Sequence, residues 1–364
     1  MESIQLLISI FILKIMTKGE SRMKIYYLGS FPPPYGGVTI KNKIIFDNLS
    51  KSFEVTKIDL GMVKKFGNRE IIKLFLALID KSSSFVIGSA STSRRLFTQY
   101  LYYFNNDALN RSSLIIMGGA WPKTIKNDEN FIHWVRKYKK IYVETKGMIV
   151  ELGKLGIGNV SIFPNCRERP ENSLNIKPFK DKIKCVYFSQ ISKLKGADLV
   201  IEAAKLLNID HNDFVIDFYG KIENRYINEF LSEIKVVDNV NYLGEINPEN
   251  ENIYEKLNQY DVLLFPSKWK FEGIPGILVE AKISALPAIV SNINYNSEII
   301  QDKVSGIVLK ENTSSEMKEE ISKLSNDISL LNNLKINALN SSEKYLVENN
   351  IYKFFDSLNS KNDN

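Results

Sequence analysis

Cysteine and histidine are nearly absent from this chain of 364 residues, which has two of each. Cys166 and Cys185 are too few and too isolated for a disulfide framework or a cysteine-based zinc site, and point to a reducing compartment. His133 and His211 lack metal-ligand spacing, so zinc hydrolysis and His-dependent triads have little to build with. His133 falls on a predicted helix and reads as a partly buried structural residue. There is no Asp-x-Asp pair to hold a divalent cation, and no apolar run of 18 residues. The most apolar stretch, residues 4–16, is short, contains Lys14 and lacks a basic leader or cleavage site. Met23 is therefore the expected start, with residues 1–22 an upstream apolar extension; a short membrane-adhering helix is the alternative.

What is present is ordinary in bulk and uneven in distribution. With 44% hydrophobic and 25% charged residues the chain reads as a soluble globular protein of about two domains. The net charge of +6 hides a division. Residues 1–182 carry 29 Lys and Arg against 15 Asp and Glu, whereas residues 183–364 carry 19 against 27. The two halves are electrostatically different objects.

From Met23 onward, short β-rich runs alternate with helix-period segments, the pattern of parallel sheets with crossover helices. Strands are predicted at 24–28, 55–60, 85–88, 113–117, 140–144 and 160–163. A proline- and charge-rich stretch at 166–182 reads as a linker. The alternation resumes with strands at 184–188, 214–219, 240–243, 261–266, 287–291 and 306–309. Beyond residue 313 the chain is predicted helical, with Leu324, Ile328, Leu331, Leu334, Leu339, Leu346 and Phe354 on buried stripes. This is an α/β chain of two Rossmann-like domains, 23–165 and 183–342, finished by a segment 343–364.

In open α/β sheets ligands bind beyond the carboxyl ends of strands, so the strand-to-helix turns carry the candidates. The most informative follows DVLLFP and contains Glu272 and Glu280, separated by seven residues and a Gly-Ile-Pro-Gly elbow. A helix beginning near Pro275 would leave the amides of Gly273, Ile274, Gly276 and Ile277 unpaired and facing the cleft, where they attract anions. Glu280 on that helix could accept hydrogen bonds from a vicinal diol such as a ribose, and Glu272 from the hydroxyls of another ring. A second turn, Ser189 to Gly196, holds Gln190 and Lys195; a lysine at a helix N-terminus suggests a compensating anion such as a diphosphate. Gly36 and Gly37, and again Gly118 and Gly119 beside Trp121, permit close backbone approach to a ligand. Lys268, Trp269, Lys270 and Trp121 are candidates for setting pocket specificity.

These motifs together resemble retaining glycosyltransferases of family 4, with the GT-B fold of two facing Rossmann-like domains and C-terminal helices packing back on the first. The Glu-x7-Glu pair is the most specific element. The resemblance implies that Glu272 contacts the donor sugar, Glu280 the ribose, Lys195 the donor diphosphate, and Gly36 and Gly37 the phosphate and acceptor. Gln190 stands where such enzymes often carry arginine, and Met117, Gly118 and Gly119 where many carry a histidine. The implied reaction moves a sugar from a UDP- or GDP-type donor, without a metal or other cofactor and without a protein nucleophile, to a saccharide or lipid-linked acceptor in bacterial surface polysaccharide synthesis. The implied acceptor domain is the basic one. Clusters such as Lys64, Lys65, Arg69 and Lys73, or Arg94 and Arg95 ahead of LFTQYLYYF, suit an anionic membrane surface. The expected location is cytoplasmic, peripheral at the inner face of the plasma membrane. A nucleic-acid partner is not expected, because no recognised module accompanies the basic half. A degenerate GT-B protein that only binds a nucleotide sugar or a partner, and a sugar-nucleotide epimerase on the same fold, are the alternatives.

Overall fold

The computed structural model describes residues 24–359 apart from 66–67, 90, 173, 211–212 and 247–250. The reading of residues 1–22 lies outside the described residues, as does His211. Two six-stranded sheets, parallel throughout, organise the chain. The first comprises β1 (Lys24–Gly29), β2 (Val55–Asp59), β3 (Ser83–Gly88), β4 (Ser113–Ile115), β5 (Lys140–Val143) and β6 (Val160–Ile162), in the order β2-β1-β3-β4-β5-β6. The second comprises β7 (Ile183–Phe188), β8 (Phe214–Tyr219), β9 (Val240–Tyr242), β10 (Val262–Phe265), β11 (Ala288–Ser291) and β12 (Gly306–Leu309), in the order β12-β11-β10-β7-β8-β9.

Each order reverses once, between β1 and β3 in the first sheet and between β7 and β10 in the second, and such switch points open the crevices where ligands sit. Asn42 stitches the first one. Its buried amide donates to the carbonyls of Ser30 (3.0 Å) and Gly88 (2.9 Å) and accepts from the Tyr27 hydroxyl (2.9 Å). A Cβ on Gly88 would lie 2.1 Å from Asn42 Oδ1, so the strand end must be glycine for the helix Gly37–Leu49 to seat there.

The chain passes between the sheets twice, and the two crossings lie side by side. Arg167 N donates to Tyr345 O, and Val347 N returns a bond to Arg167 O, both at 2.9 Å. Arg169 then reaches both Glu343 (2.8 Å) and Glu348 (2.9 Å). Past this junction the helix Tyr352–Asn359 packs on the first sheet: Phe354 lies tilted against Tyr142 with ring centroids 4.2 Å apart, and the Tyr142 hydroxyl donates to Lys353 O at 2.7 Å. The helices Ser314–Asn326 and Ile328–Ser342 instead bury Leu324, Leu331 and Leu334 in the core of the second sheet.

Several expectations need correction. Ile328 is exposed, because it opens its helix just after the Asp327 cap and faces outward, and Leu339 is only half-buried. Arg94 is buried, not part of a basic surface. On the helix Ser91–Phe104 it shares the inward face with Thr98 and Leu101, donates to Ser89 O at 2.9 Å and lies over the Trp121 ring. Burial pulls its guanidinium down to about 10. Arg95 is paired with Asp128 at 2.8 Å. His133 is exposed on the last turn of the helix Glu129–Val135, 2.9 Å from the Tyr102 hydroxyl.

Candidate functional site at the interdomain cleft

The carboxyl ends of β7 and β10 deliver the two turns singled out in the sequence. After β7 the chain makes a single 3-10 turn, Lys193–Lys195, closed by Gly196 at φ 79°. Glycine is required there, since a Cβ would also fall 2.3 Å from Pro266 O. This close approach of the two loops brings the Lys195 ammonium into an ion pair with Glu272 Oε1. The second carboxylate oxygen of Glu272 is buried and has no hydrogen-bond partner among the described residues. A buried, unpartnered carboxylate oxygen is costly, and a hydroxyl donated by a ligand would satisfy it.

A cleft of about 560 Å³ lies between the sheets. Gly36, Gly37, Gly118, Gln190, Glu272, Gly273, Ile274, Pro275, Gly276 and Ile277 all line it, so residues far apart in sequence are brought to one wall-to-wall space. Gly119 lies at its edge, where its amide donates to Phe271 O at 3.2 Å and a Cβ would meet Glu272 O at 2.1 Å. The backbones of the two domains touch here. Trp121 does not reach the cleft; it is buried in the first domain against Phe131. Lys268 is held by Asp198 at 2.8 Å, and Trp269 packs against Phe271.

The elbow is not a row of free amides. Pro275 caps the helix Gly276–Ile283, one residue earlier than a first-turn proline, and Ile274 N already donates to Glu144 Oε2 at 3.0 Å. Glu144 comes from the end of β5 in the other domain, and its remaining oxygen pairs with Lys41 at 2.7 Å. Both side chains of this pair are almost wholly buried. It therefore acts as an internal anion for the elbow, with its own charge balanced by a lysine from the helix that follows Gly36 and Gly37.

Glu280 is likewise occupied. Its Oε1 accepts from Arg167 Nε at 2.7 Å, and the guanidinium also donates to Asn165 Oδ1 (2.9 Å) and Cys166 O (3.0 Å). Burial by itself would lower the Arg167 pKa; the charge of Glu280 and the hydrogen bond to it more than compensate, so it stands above its ordinary value. Gly276 is glycine because Arg167 lies across it, 1.9 Å from where a Cβ would be. On the far flank Glu298 receives the amides of Lys146 (2.7 Å) and Gly147 (2.8 Å), the opening turn of the helix Lys146–Lys154, and Tyr295 reaches Glu151 at 3.1 Å. Lys41, Glu144, Arg167, Tyr295 and Glu298 escape the sequence reading. Of these, Glu144 could have been found, since it ends a buried strand just where the carboxyl-end rule looks.

With this geometry in hand, comparison with known proteins is informative. Residues 168–341 match the family model described as glycosyl transferases group 1. The capsular polysaccharide biosynthesis glycosyltransferase CapH of Staphylococcus aureus is 31% identical over 152 residues, 39% of this chain and 41% of that protein. An Escherichia coli UDP-Gal:alpha-D-GlcNAc-diphosphoundecaprenol alpha-1,3-galactosyltransferase is 29% identical over 168 residues, 42% of each. The matched region thus spans about two fifths of the length of these curated relatives. Among solved structures, Anabaena Alr3699/HepE in complex with UDP superposes with a TM-score of 0.68 at 13% identity, covering 93% of this chain and all of that one. Sucrose-phosphate synthase from Thermosynechococcus elongatus follows at 0.66 and 13%, covering 92% and 98%. Two facing parallel sheets with one cleft between them give the chain the GT-B fold, and its residues 168–341 are similar to the glycosyl transferases group 1 family.

Proposed function

We propose that the protein is a retaining glycosyltransferase of family 4 that moves a hexosyl unit from a UDP- or GDP-type sugar to a saccharide or lipid-linked acceptor. The observation that carries this reading is the Lys195–Glu272 pair at the β7/β10 switch point, with the unpartnered Glu272 oxygen beside it. A sugar hydroxyl satisfies that oxygen, and the lysine has further N–H groups for a diphosphate. In the transfer, the acceptor oxygen bonds to the anomeric carbon as the bond from that carbon to the phosphate oxygen breaks. The bonding pair leaves with the diphosphate, which also takes the acceptor proton. Lys195 and the elbow amides other than that of Ile274, which Glu144 holds, meet the developing charge, a task that calls for no protein nucleophile and no divalent cation.

Glu280 is the ribose ligand in this reading, which requires it to share or exchange Arg167. The related capsular and diphosphoundecaprenol-linked enzymes favour an acceptor of the surface-polysaccharide kind. For a lipid-linked acceptor, the first domain offers Lys64, Lys65 and Arg69 together with exposed Ile72 and Phe75 on the helix Asn68–Ile79, a basic and apolar combination suited to an anionic membrane. No helix among the described residues is long and apolar enough to cross one.

The test is a panel of UDP and GDP sugars in EDTA with lipid extracts, read by mass spectrometry for a sugar-extended product and by NMR for its anomeric configuration. An extended product with the donor's configuration is expected. Binding with intact donor across the panel would replace this reading by a binding-only protein, and isomerised free donor by an epimerase.

A further inference from the structure

The helix that carries Glu280 has a second polar residue on its other side. Lys282 is 1% exposed, yet no carboxylate lies within salt-bridge distance of it among the described residues. Its ammonium donates to Ser341 Oγ at 2.6 Å and Ser305 Oγ at 3.1 Å, two neutral oxygens that leave one N–H over. The other buried lysines are treated differently: Lys41 is paired with Glu144 and Lys335 with Asp261. Lys282 lines a pocket of about 510 Å³ distinct from the cleft that holds Glu272, and Lys344, Asn337 and Asn340 line it too. Glu298, the one acid on its wall, is already bound to the amides of Lys146 and Gly147. Two lysines and several hydrogen-bonding groups thus line one space whose single acid is engaged elsewhere.

We propose that this pocket binds a small oxyanion of the phosphate class, held between Lys282 at its floor and Lys344 at its rim. Buried ammonium groups are found paired or neutralised. Burial, reinforced by the charge of Lys344, already pulls Lys282 down to about 7, and an anion in the pocket would restore its proton. The site is independent of the donor reading, since none of its residues lines the cleft around Glu272 and Gln190.

The experiment is a titration of the full-length protein with inorganic phosphate against chloride at constant ionic strength, followed by calorimetry and thermal shift. Wild type, Lys282→Met, Lys282→Gln, Lys344→Gln and Lys195→Ala are compared. Lys344 is exposed, so its variant reports on the site without disturbing the core. Saturable binding is expected in wild type and Lys195→Ala, with affinity reduced about tenfold or more by the Lys282 variants and several-fold by Lys344→Gln, as loss of a charge-assisted hydrogen bond dictates. Sedimentation with phosphatidate vesicles separates a lipid-borne phosphate from a free one; Lys282-dependent binding in either form sustains the site. No saturable phosphate response in either arm overturns the proposal. So does a response lost in Lys195→Ala but retained in the Lys282 and Lys344 variants, which would assign the anion to the interdomain cleft.

Discussion

Arg167→Met removes the cation from a buried pair and leaves its carboxylate behind. The two side chains are 4% and 12% exposed, so water does little to screen them. Breaking such a pair from one side costs about 3–5 kcal/mol, mostly the penalty of a buried charge without its mate. Here Asn165 Oδ1 and Cys166 O also lose their donor, which puts the loss in the upper part of that range, about 4 kcal/mol. At roughly 2–4 °C per kcal/mol for a domain of this size, the melting temperature should fall by about 8–16 °C. Arg167→Met combined with Glu280→Leu removes both charges and should recover most of the loss, to within about 1–2 kcal/mol of wild type. Urea and thermal unfolding followed by circular dichroism read all the variants, with Glu280→Leu completing the cycle. A single Arg167 variant as stable as wild type, or a double variant no better than the single, would refute the reasoning.

Three further outcomes are expected. Lys195→Ala should lower turnover by about 10²–10³-fold if the lysine meets charge developing on the departing diphosphate, measured as product formed at saturating donor. Gly119→Ala places a methyl 2.1 Å from Glu272 O, so the domains must part at that point; small-angle scattering should record a larger radius of gyration and the transfer assay a lower rate. Lys282, lowered to about 7 in the fold against 10.5 unfolded, binds its proton more tightly in the unfolded chain. Its destabilising effect is therefore complete below pH 7 and is relieved as pH rises from about 7 to 10.5, by an amount on the order of a few kcal/mol. In phosphate-free buffer, wild type should gain stability over that window relative to Lys282→Met; parallel profiles for the two would contradict this.

How much of this was legible in the sequence depended on whether the signal was local. The strands of the second sheet were readable because apolar runs such as VLLF and AIVS are bracketed by proline, glycine or polar residues, and the candidate turns followed from where those runs end. Lys195 and Glu272 could be named individually, but not as partners, because 77 positions separate them. The partners of the motif were harder still. Arg167 sits in a charge-rich stretch that looks like solvated linker, and only the return of the chain at Tyr345 buries it over Gly276. Lys41 looks like any surface lysine until β5 supplies Glu144. Arg94 shows the converse error: its neighbour Arg95 is solvent-facing and paired with Asp128, and only the helix's orientation decides which of two adjacent arginines faces inward.

The paired crossings at Arg167–Arg169 and Glu343–Glu348 bear on how the cleft can open. A single tether would act as a swivel, leaving each half free to twist. Two strands stitched together behave like the spine of a book, in which bending is easy and torsion is resisted. The halves are then left with essentially one degree of freedom, the angle between the covers. A hinge of that kind keeps the facing pages, Gly119 against Phe271 and Glu298 against Gly147, in one register.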